Sequence, residues 1–90
     1  MVCRQIIVRG KVQGVYYRAS AKDEADRLGI QGEVKNLPDG SVCIIAEGTA
    51  GQIDELIAWC YKGPPRAIVD ELIVADTGIK GFKGFSVVRF

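Results

Sequence analysis

Histidine is absent from the 90-residue sequence, and cysteine is scarce. The three cysteines, Cys3, Cys43 and Cys60, form no C-x-x-C pair, so neither a disulfide framework nor a common type of zinc site can be assembled from them. Without imidazole, the usual general base and the Ser-His and Cys-His pairs are also excluded. We therefore expect chemistry that runs without histidine.

Long apolar runs and an excess of basic charge are missing as well. No apolar stretch is long enough to span a bilayer, and residues 1–5 lead into no signal peptide. Lys and Arg number 12 against 11 Asp and Glu, which is not the basic excess typical of nucleic-acid-binding domains. We therefore expect a cytoplasmic protein, a monomer by default, that binds neither a membrane nor a nucleic acid.

The length of the chain limits the kind of site that it can build. Residues 1–90 are enough for a single domain and exclude a two-domain enzyme with a separate cofactor fold. A hydrophobic content of 48% and a charged content of 26% are typical of a folded globular chain. Because a chain of this size buries only about 60% of its unfolded surface, we expect a shallow site and no cofactor.

Hydrophobic periodicity predicts strands and helices that alternate along the first half of the chain. The β-branched segment 4–9 predicts a first strand, and apolar residues at helical spacing predict a helix over about 18–28. Residues 32–36 and 41–47 predict two further strands. The turn residues at 37–40 (LPDG) between them indicate a tight hairpin.

The second half repeats the pattern of a helix followed by a strand. Thr49 and Gln52 form a predicted capping box at the start of a second helix, which ends at residues 63–65 (GPP). Residues 68–75 predict a strand and residues 85–90 a last one. Two β-α-β units joined by a hairpin predict an α+β, ferredoxin-like βαββαβ sandwich, with an antiparallel sheet and both helices packed on one face.

The segment between the first strand and the first helix has the pattern of an anion-binding loop. Residues 10–18 (GKVQGVYYR) leave a strand, turn at a glycine and enter a helix. Such a turn directs successive backbone N–H groups into one concavity, and the helix N-terminus adds roughly half a positive charge. The planar guanidinium of Arg18 can bind two phosphate oxygens. Alternatively, Arg18 is a solvated surface residue and Gly14 only shapes a turn.

Asn36 is the second candidate for a functional residue. It ends the second predicted strand, immediately before the hairpin turn. If that strand neighbours the first, the amide of Asn36 lies beside the predicted anion-binding loop. The alternative role is structural, because asparagine in turns most often bonds its own backbone.

Both segments resemble the signature motifs of the acylphosphatase family. Residues 10–18 are similar to the first motif, and residues 32–42 (GEVKNLPDGSV) are similar to the second. Residues 46–48, 63–67 and 82–90 also resemble the family, so the similarity covers essentially the whole chain. The resemblance implies a ferredoxin-like fold, no metal, and hydrolysis of acyl phosphates to a carboxylate and inorganic phosphate.

The resemblance also implies roles for individual residues. It implies that Arg18 binds the phosphoryl group together with backbone amides of the loop, and that Asn36 positions the attacking water. The phosphate-binding loop then comprises Gln13, Gly14, Val15, Tyr16, Tyr17 and Arg18. Two positions depart from the commonest form of the family, because Tyr17 stands where Phe is frequent and Glu33 where an aromatic residue is frequent. Neither departure changes Arg18 or Asn36.

Hydrolysis of an acyl phosphate suits a site without imidazole. The leaving group is a carboxylate whose conjugate acid has a pKa of about 4, so its departure needs no general acid. Phosphoryl transfer depends mainly on positioning and on stabilisation of the charge on the phosphoryl oxygens. The chemistry that the resemblance implies is therefore consistent with this composition, namely a hydrolase that acts on a small acyl phosphate, with Arg18 and Asn36 as its catalytic residues.

Other functions fit the sequence less well. The first alternative is a catalytically silent phosphate-binding domain with a regulatory or protein-interaction role. Residues 60–66 match the C-x5-R spacing of cysteine-dependent phosphatases, but the prolines at 64–65 have no N–H and Cys60 lies on an apolar helix stripe. RNA-binding domains of this fold carry aromatic residues on their central strands, and residues 4–9 and 41–47 contain none.

Overall fold

The computed structural model of the protein describes residues 1–89. Its elements are β1 (Val2–Lys11), α1 (Tyr17–Leu28), β2 (Gln31–Asn36), β3 (Val42–Gly48), α2 (Ala50–Lys62), β4 (Ile68–Thr77) and β5 (Phe85–Val87). The predicted order of strands and helices is confirmed. The last strand is shorter than the predicted 85–90, and Phe90 lies outside the described residues. No helix within residues 1–89 is long and apolar enough to cross a membrane.

The strands form one five-stranded sheet in the order β4-β1-β3-β2-β5. β1 pairs antiparallel with β3 and β4, and β2 pairs antiparallel with β3, which confirms the predicted α+β ferredoxin-like fold. β5 adds an edge strand parallel to β2, so the sheet is mixed and five-stranded and not wholly antiparallel as predicted. The expectation that β2 would neighbour β1 is wrong, because the hairpin folds β3 back into the position between them.

Both helices pack on one face of the sheet through the apolar stripes that the periodicity predicts. The buried helix residues are Tyr17, Ala21 and Ala25 of α1 and Ile53, Leu56 and Cys60 of α2. The predicted capping box at the start of α2 is present, because Thr49 and Gln52 each accept a backbone N–H of the other. This packing holds the first turn of α1, where the predicted loop enters the helix, against the sheet.

β1 continues past its predicted end at Gly10. Gly10 and Lys11 still pair with β4, opposite Val69 and Ile68, after an irregularity in the register. Gly10 has a φ of 131°, and a Cβ atom at this position would lie 2.1 Å from the carbonyl oxygen of Ile68. Only glycine permits this approach of the two strands. The connection between β1 and α1 therefore begins at Val12.

The face of the sheet opposite the helices is partly covered by the loop that precedes β5. Cys43 and Ile45 on this face are buried and pack against Phe82 of the loop. The buried carboxylate of Glu47 accepts the backbone N–H groups of residues 80–82. These bonds, of which that from Lys80 has the largest effect, lower the pKa of Glu47 because they stabilise its charged form. Glu47 therefore anchors the loop to β3.

We expect the Glu47→Gln variant to unfold at a lower urea concentration than the wild type at pH 7, because the three N–H groups lose a charged acceptor. Since folding lowers the pKa of Glu47 from its ordinary value of 4.5, its stabilisation is complete above that pH. It is lost as the pH falls through the folded-state pKa, so the difference between the two proteins should disappear at strongly acidic pH, below that pKa. Urea titrations at both pH values measure the effect.

The control is Glu71→Gln, because Glu71 is exposed on β4 and its side chain forms no hydrogen bond within residues 1–89. It should unfold like the wild type at both pH values. Equal unfolding midpoints for Glu47→Gln and the wild type at pH 7 would contradict the anchoring role.

Candidate active site

An open cavity of about 390 Å³ lies where the connection between β1 and α1 meets the end of β2. Five of the residues predicted for the site line it, namely Gly14, Tyr16, Tyr17, Arg18 and Asn36. The two predicted catalytic residues are therefore in one cavity, although Arg18 lies in α1, which follows β1, and Asn36 ends β2, which is not a neighbour of β1.

Gln13 and Val15 belong to the predicted phosphate-binding loop but do not line this cavity. Val15 is buried in the core between helices and sheet. The side chain of Gln13 turns to the β2–β3 hairpin, where its Nε2 donates to the carbonyl oxygens of Leu37 at 2.9 Å and Ser41 at 2.8 Å. Gln13 thus ties the loop to the hairpin that follows Asn36.

The loop enters α1 with its backbone donors unpaired. Within residues 1–89, the N–H groups of residues 14–18 bond to no protein acceptor, and α1 has no side-chain cap. Tyr16, at the cap position, has a φ of 64°, a left-handed conformation that costs a non-glycine residue about 1–3 kcal/mol. Its side chain is 80% exposed, so packing of the ring does not explain this conformation. The loop therefore holds a strained backbone and offers free donors beside the positive end of the helix dipole.

Arg18 is held in position by the segment that follows β5. Its Nη1 donates to the carbonyl oxygen of Val88 at 3.3 Å. The N–H of Val88 donates in turn to the carbonyl oxygen of Val34 at 2.8 Å and prolongs the pairing of β5 with β2. A half-buried, bonded Arg18 does not fit the alternative of a freely solvated surface residue.

Asn36, which lines the cavity, carries an unsatisfied acceptor. Its Oδ1 is buried and has no hydrogen-bond partner within residues 1–89. The hairpin turn is closed by other groups, since Leu37 donates to Ser41 and Gly40 donates to Leu37 through their backbones. Leaving a buried carbonyl unpaired costs about 1–3 kcal/mol, so Oδ1 is suited to accept a hydrogen bond from a bound molecule that reaches it. This oxygen forms no hydrogen bond with the backbone of Asn36, so it does not have the alternative structural role.

Tyr17 and Cys60 have structural roles in the core. The hydroxyl of Tyr17 donates to the carbonyl oxygen of Cys60 at 2.7 Å, which supplies the partner that a buried phenol requires. Burial raises the pKa of Tyr17, so the phenol stays neutral. Burial also raises the pKa of Cys60 to about 12, and Cys60 does not line the cavity. The thiol therefore cannot act as the nucleophile of a cysteine-dependent phosphatase.

Two arginines that were not predicted also line the cavity, and so do Val12 and Ala19. Arg66 lies in the loop between α2 and β4, and Arg89 follows β5. Both lie in segments that resemble the family, 63–67 and 82–90, but neither was assigned to the site, because only the order of the strands brings these segments to one edge of the sheet. No Asp or Glu lines the cavity, and residues 1–89 hold no cluster of side chains suited to bind a metal.

We expect Gln13→Ala to lower the free energy of unfolding by about 1–2 kcal/mol, because it removes two hydrogen bonds between the loop and the hairpin. Urea denaturation measures the change. Gln31→Ala is the matched control, because Gln31 is also half-buried but its side chain forms no hydrogen bond within residues 1–89. Equal losses of stability in the two variants would contradict the bridging role of Gln13.

Sequence and structure comparisons agree on the family of the chain. The Acylphosphatase family model matches residues 4–87. The acylphosphatase of Methylococcus capsulatus is 51% identical over 85 residues, which cover 93% of this chain and 92% of that protein. The acylphosphatase of Aeropyrum pernix is 49% identical over 89 residues, covering 97% and 88%. The crystal structure of acylphosphatase from Bacillus subtilis has a TM-score of 0.96 at 36% identity and covers 99% of this chain and 100% of that one. The chain therefore belongs to the acylphosphatase family.

Proposed function

We propose that this protein hydrolyses the carboxyl–phosphate bond of small acyl phosphates and releases a carboxylate and inorganic phosphate. The observation that carries the proposal is that Arg18 and Asn36 line one cavity and that Oδ1 of Asn36 is buried without a hydrogen-bond partner. An anion-binding group and an unsatisfied acceptor are the two parts that attack of water on a phosphoryl group requires. Membership of the acylphosphatase family supports the same reaction.

Arg18 and the backbone of the loop bind the phosphoryl group. One guanidinium N–H is engaged with Val88, and a guanidinium has five N–H donors in all, so further donors remain for phosphate oxygens. The N–H groups of residues 14–18 and the N-terminus of α1 add hydrogen bonds and positive potential. These donors also stabilise the charge that spreads over the phosphoryl oxygens in the transition state.

Asn36 orients the attacking water by accepting a hydrogen bond through Oδ1. The water oxygen forms the new bond to phosphorus, and the bond between phosphorus and the acyl oxygen breaks. The carboxylate leaves with the bonding electron pair, and a proton of the water passes to a phosphoryl oxygen. Because the leaving group is the conjugate base of an acid with a pKa of about 4, it needs no proton donor, which suits a chain without histidine.

Hydrolysis of benzoyl phosphate in excess EDTA, compared with the uncatalysed rate, tests the proposed function. We expect rapid turnover that EDTA does not reduce, and poor turnover of a simple alkyl phosphate, whose alkoxide is a far worse leaving group. Absence of turnover by folded protein would contradict the proposal and favour the silent phosphate-binding domain.

Arg18→Lys should lower kcat/KM by about 10² or more, because an ammonium cannot reproduce the planar, bidentate guanidinium.

Asn36→Ala separates the positioning of water from the binding of phosphate. We expect kcat to fall by about 10², while the constant for competitive inhibition by inorganic phosphate stays close to that of the wild type. Steady-state kinetics with benzoyl phosphate, with and without added phosphate, measure both quantities. A variant that keeps its kcat but no longer binds phosphate would show that the role assigned to Asn36 is wrong.

A further inference from the structure

The cavity holds more positive charge than one phosphoryl group requires. Arg18, Arg66 and Arg89 line it, and no Asp or Glu does. The ion pairs within residues 1–89 involve neither Arg66 nor Arg89. In the proposed function, Arg18 and the loop amides already bind the phosphoryl oxygens. A guanidinium beside them is therefore free to bind another part of the substrate.

Arg66 and Asn36 belong to opposite sides of the cavity. Asn36 is the last residue of β2, and Arg66 stands shortly before β4. In the sheet, β1 and β3 lie between β2 and β4. Neighbouring strands are about 4.8 Å apart, so these three spacings separate β2 from β4 by roughly 14 Å. The loop of residues 12–16 leaves β1, and it therefore lies between the side of Asn36 and the side of Arg66.

In-line displacement then sets the direction of the acyl group. The attacking and leaving oxygens stand on opposite sides of phosphorus. With the water held at Asn36, the acyl oxygen leaves towards the β4 side of the cavity. This is the side on which the loop that carries Arg66 runs into β4.

Resting on the proposed function, we infer that Arg66 is a specificity-determining residue that binds a second anionic group, a carboxylate or a phosphate, on the acyl part of the substrate. The preferred substrates are acyl phosphates whose acyl group is itself negatively charged. The planar guanidinium binds either oxyanion through paired N–H groups. Because Arg66 is exposed, the gain is modest, and we expect a preference of about two- to fivefold at low ionic strength.

The experiment compares kcat/KM for three rigid substrates that differ only in the para group. These are 4-carbamoylbenzoyl phosphate, which is neutral at that position, 4-carboxybenzoyl phosphate and 4-phosphonobenzoyl phosphate. The wild type should favour the charged substrates over the neutral one, and added salt should weaken the preference. The two charged substrates distinguish a carboxylate from a phosphate-like group as the ligand of Arg66.

Variants of Arg66 show whether this residue is the origin of the preference. Arg66→Gln should reduce the ratio of charged to neutral kcat/KM to about one, and Arg66→Lys should keep part of it. Lys62→Gln is the matched control, because it removes one exposed positive charge from the end of α2 without touching the lining of the cavity. It should keep the ratio of the wild type.

Three outcomes would overturn the inference. The first is an equal kcat/KM for charged and neutral substrates in the wild type, which leaves hydrolysis itself intact. The second is that Arg66→Gln lowers kcat/KM by the same factor for all three substrates, which would show that Arg66 binds the phosphoryl group that they share. The third is an unchanged ratio in that variant. Failure to hydrolyse any of the three substrates would instead contradict the proposed function, and the inference with it.

Discussion

The position of β3 between β1 and β2 is the constraint on which the arrangement of the candidate site depends. Arg18 follows β1 and Asn36 ends β2, so no backbone pairing joins the two segments directly. Gln13 makes the connection, because its amide donates to the carbonyl oxygens of Leu37 and Ser41 at the base of the hairpin turn. Backbone hydrogen bonds of that turn already hold both acceptors, so the bridge joins two ordered segments.

The remaining sides of the loop are fixed by long-range contacts of different kinds. The hydroxyl of Tyr17 donates to α2 through the carbonyl oxygen of Cys60, which holds the first turn of α1 from within the core. The parallel pairing of β5 with β2 carries Val88 to the guanidinium of Arg18. The strained backbone at Tyr16 is held between these supports, as expected where surrounding structure over-determines a local conformation. The unpaired backbone N–H groups of the loop are thus held in place by contacts with α2 and with the segment after β5.

The positive charge of the cavity comes from the local arrangement of charged residues and not from the overall composition. The net charge of the chain is only +1, yet three arginines and no carboxylate line the cavity. Such a cavity has a positive potential that attracts anions even though the protein as a whole is nearly neutral. Glu47 differs from these residues, because it is a buried carboxylate on the other face of the sheet that accepts the backbone N–H groups of residues 80–82.

Local patterns predicted much of the fold because they act over a few residues. The helical stripes, the capping box of Thr49 and the hairpin before Ser41 depend on spacing and turn chemistry, and all three appear in the structure. The end of β1 was predicted too early, because glycine usually marks a turn. At Gly10 it instead permits the close approach of β4, a contact between segments far apart in the chain.

The sequence by itself determined the types of the elements and singled out Arg18 and Asn36 as candidate site residues, since both follow from short motifs. Only the tertiary structure decided which of them meet. The order of the strands separates β2 from β1, turns Gln13 away from the cavity and brings Arg66 and Arg89 to it. That order depends on pairing between distant segments, and its energy is spread over many contacts that no local pattern contains.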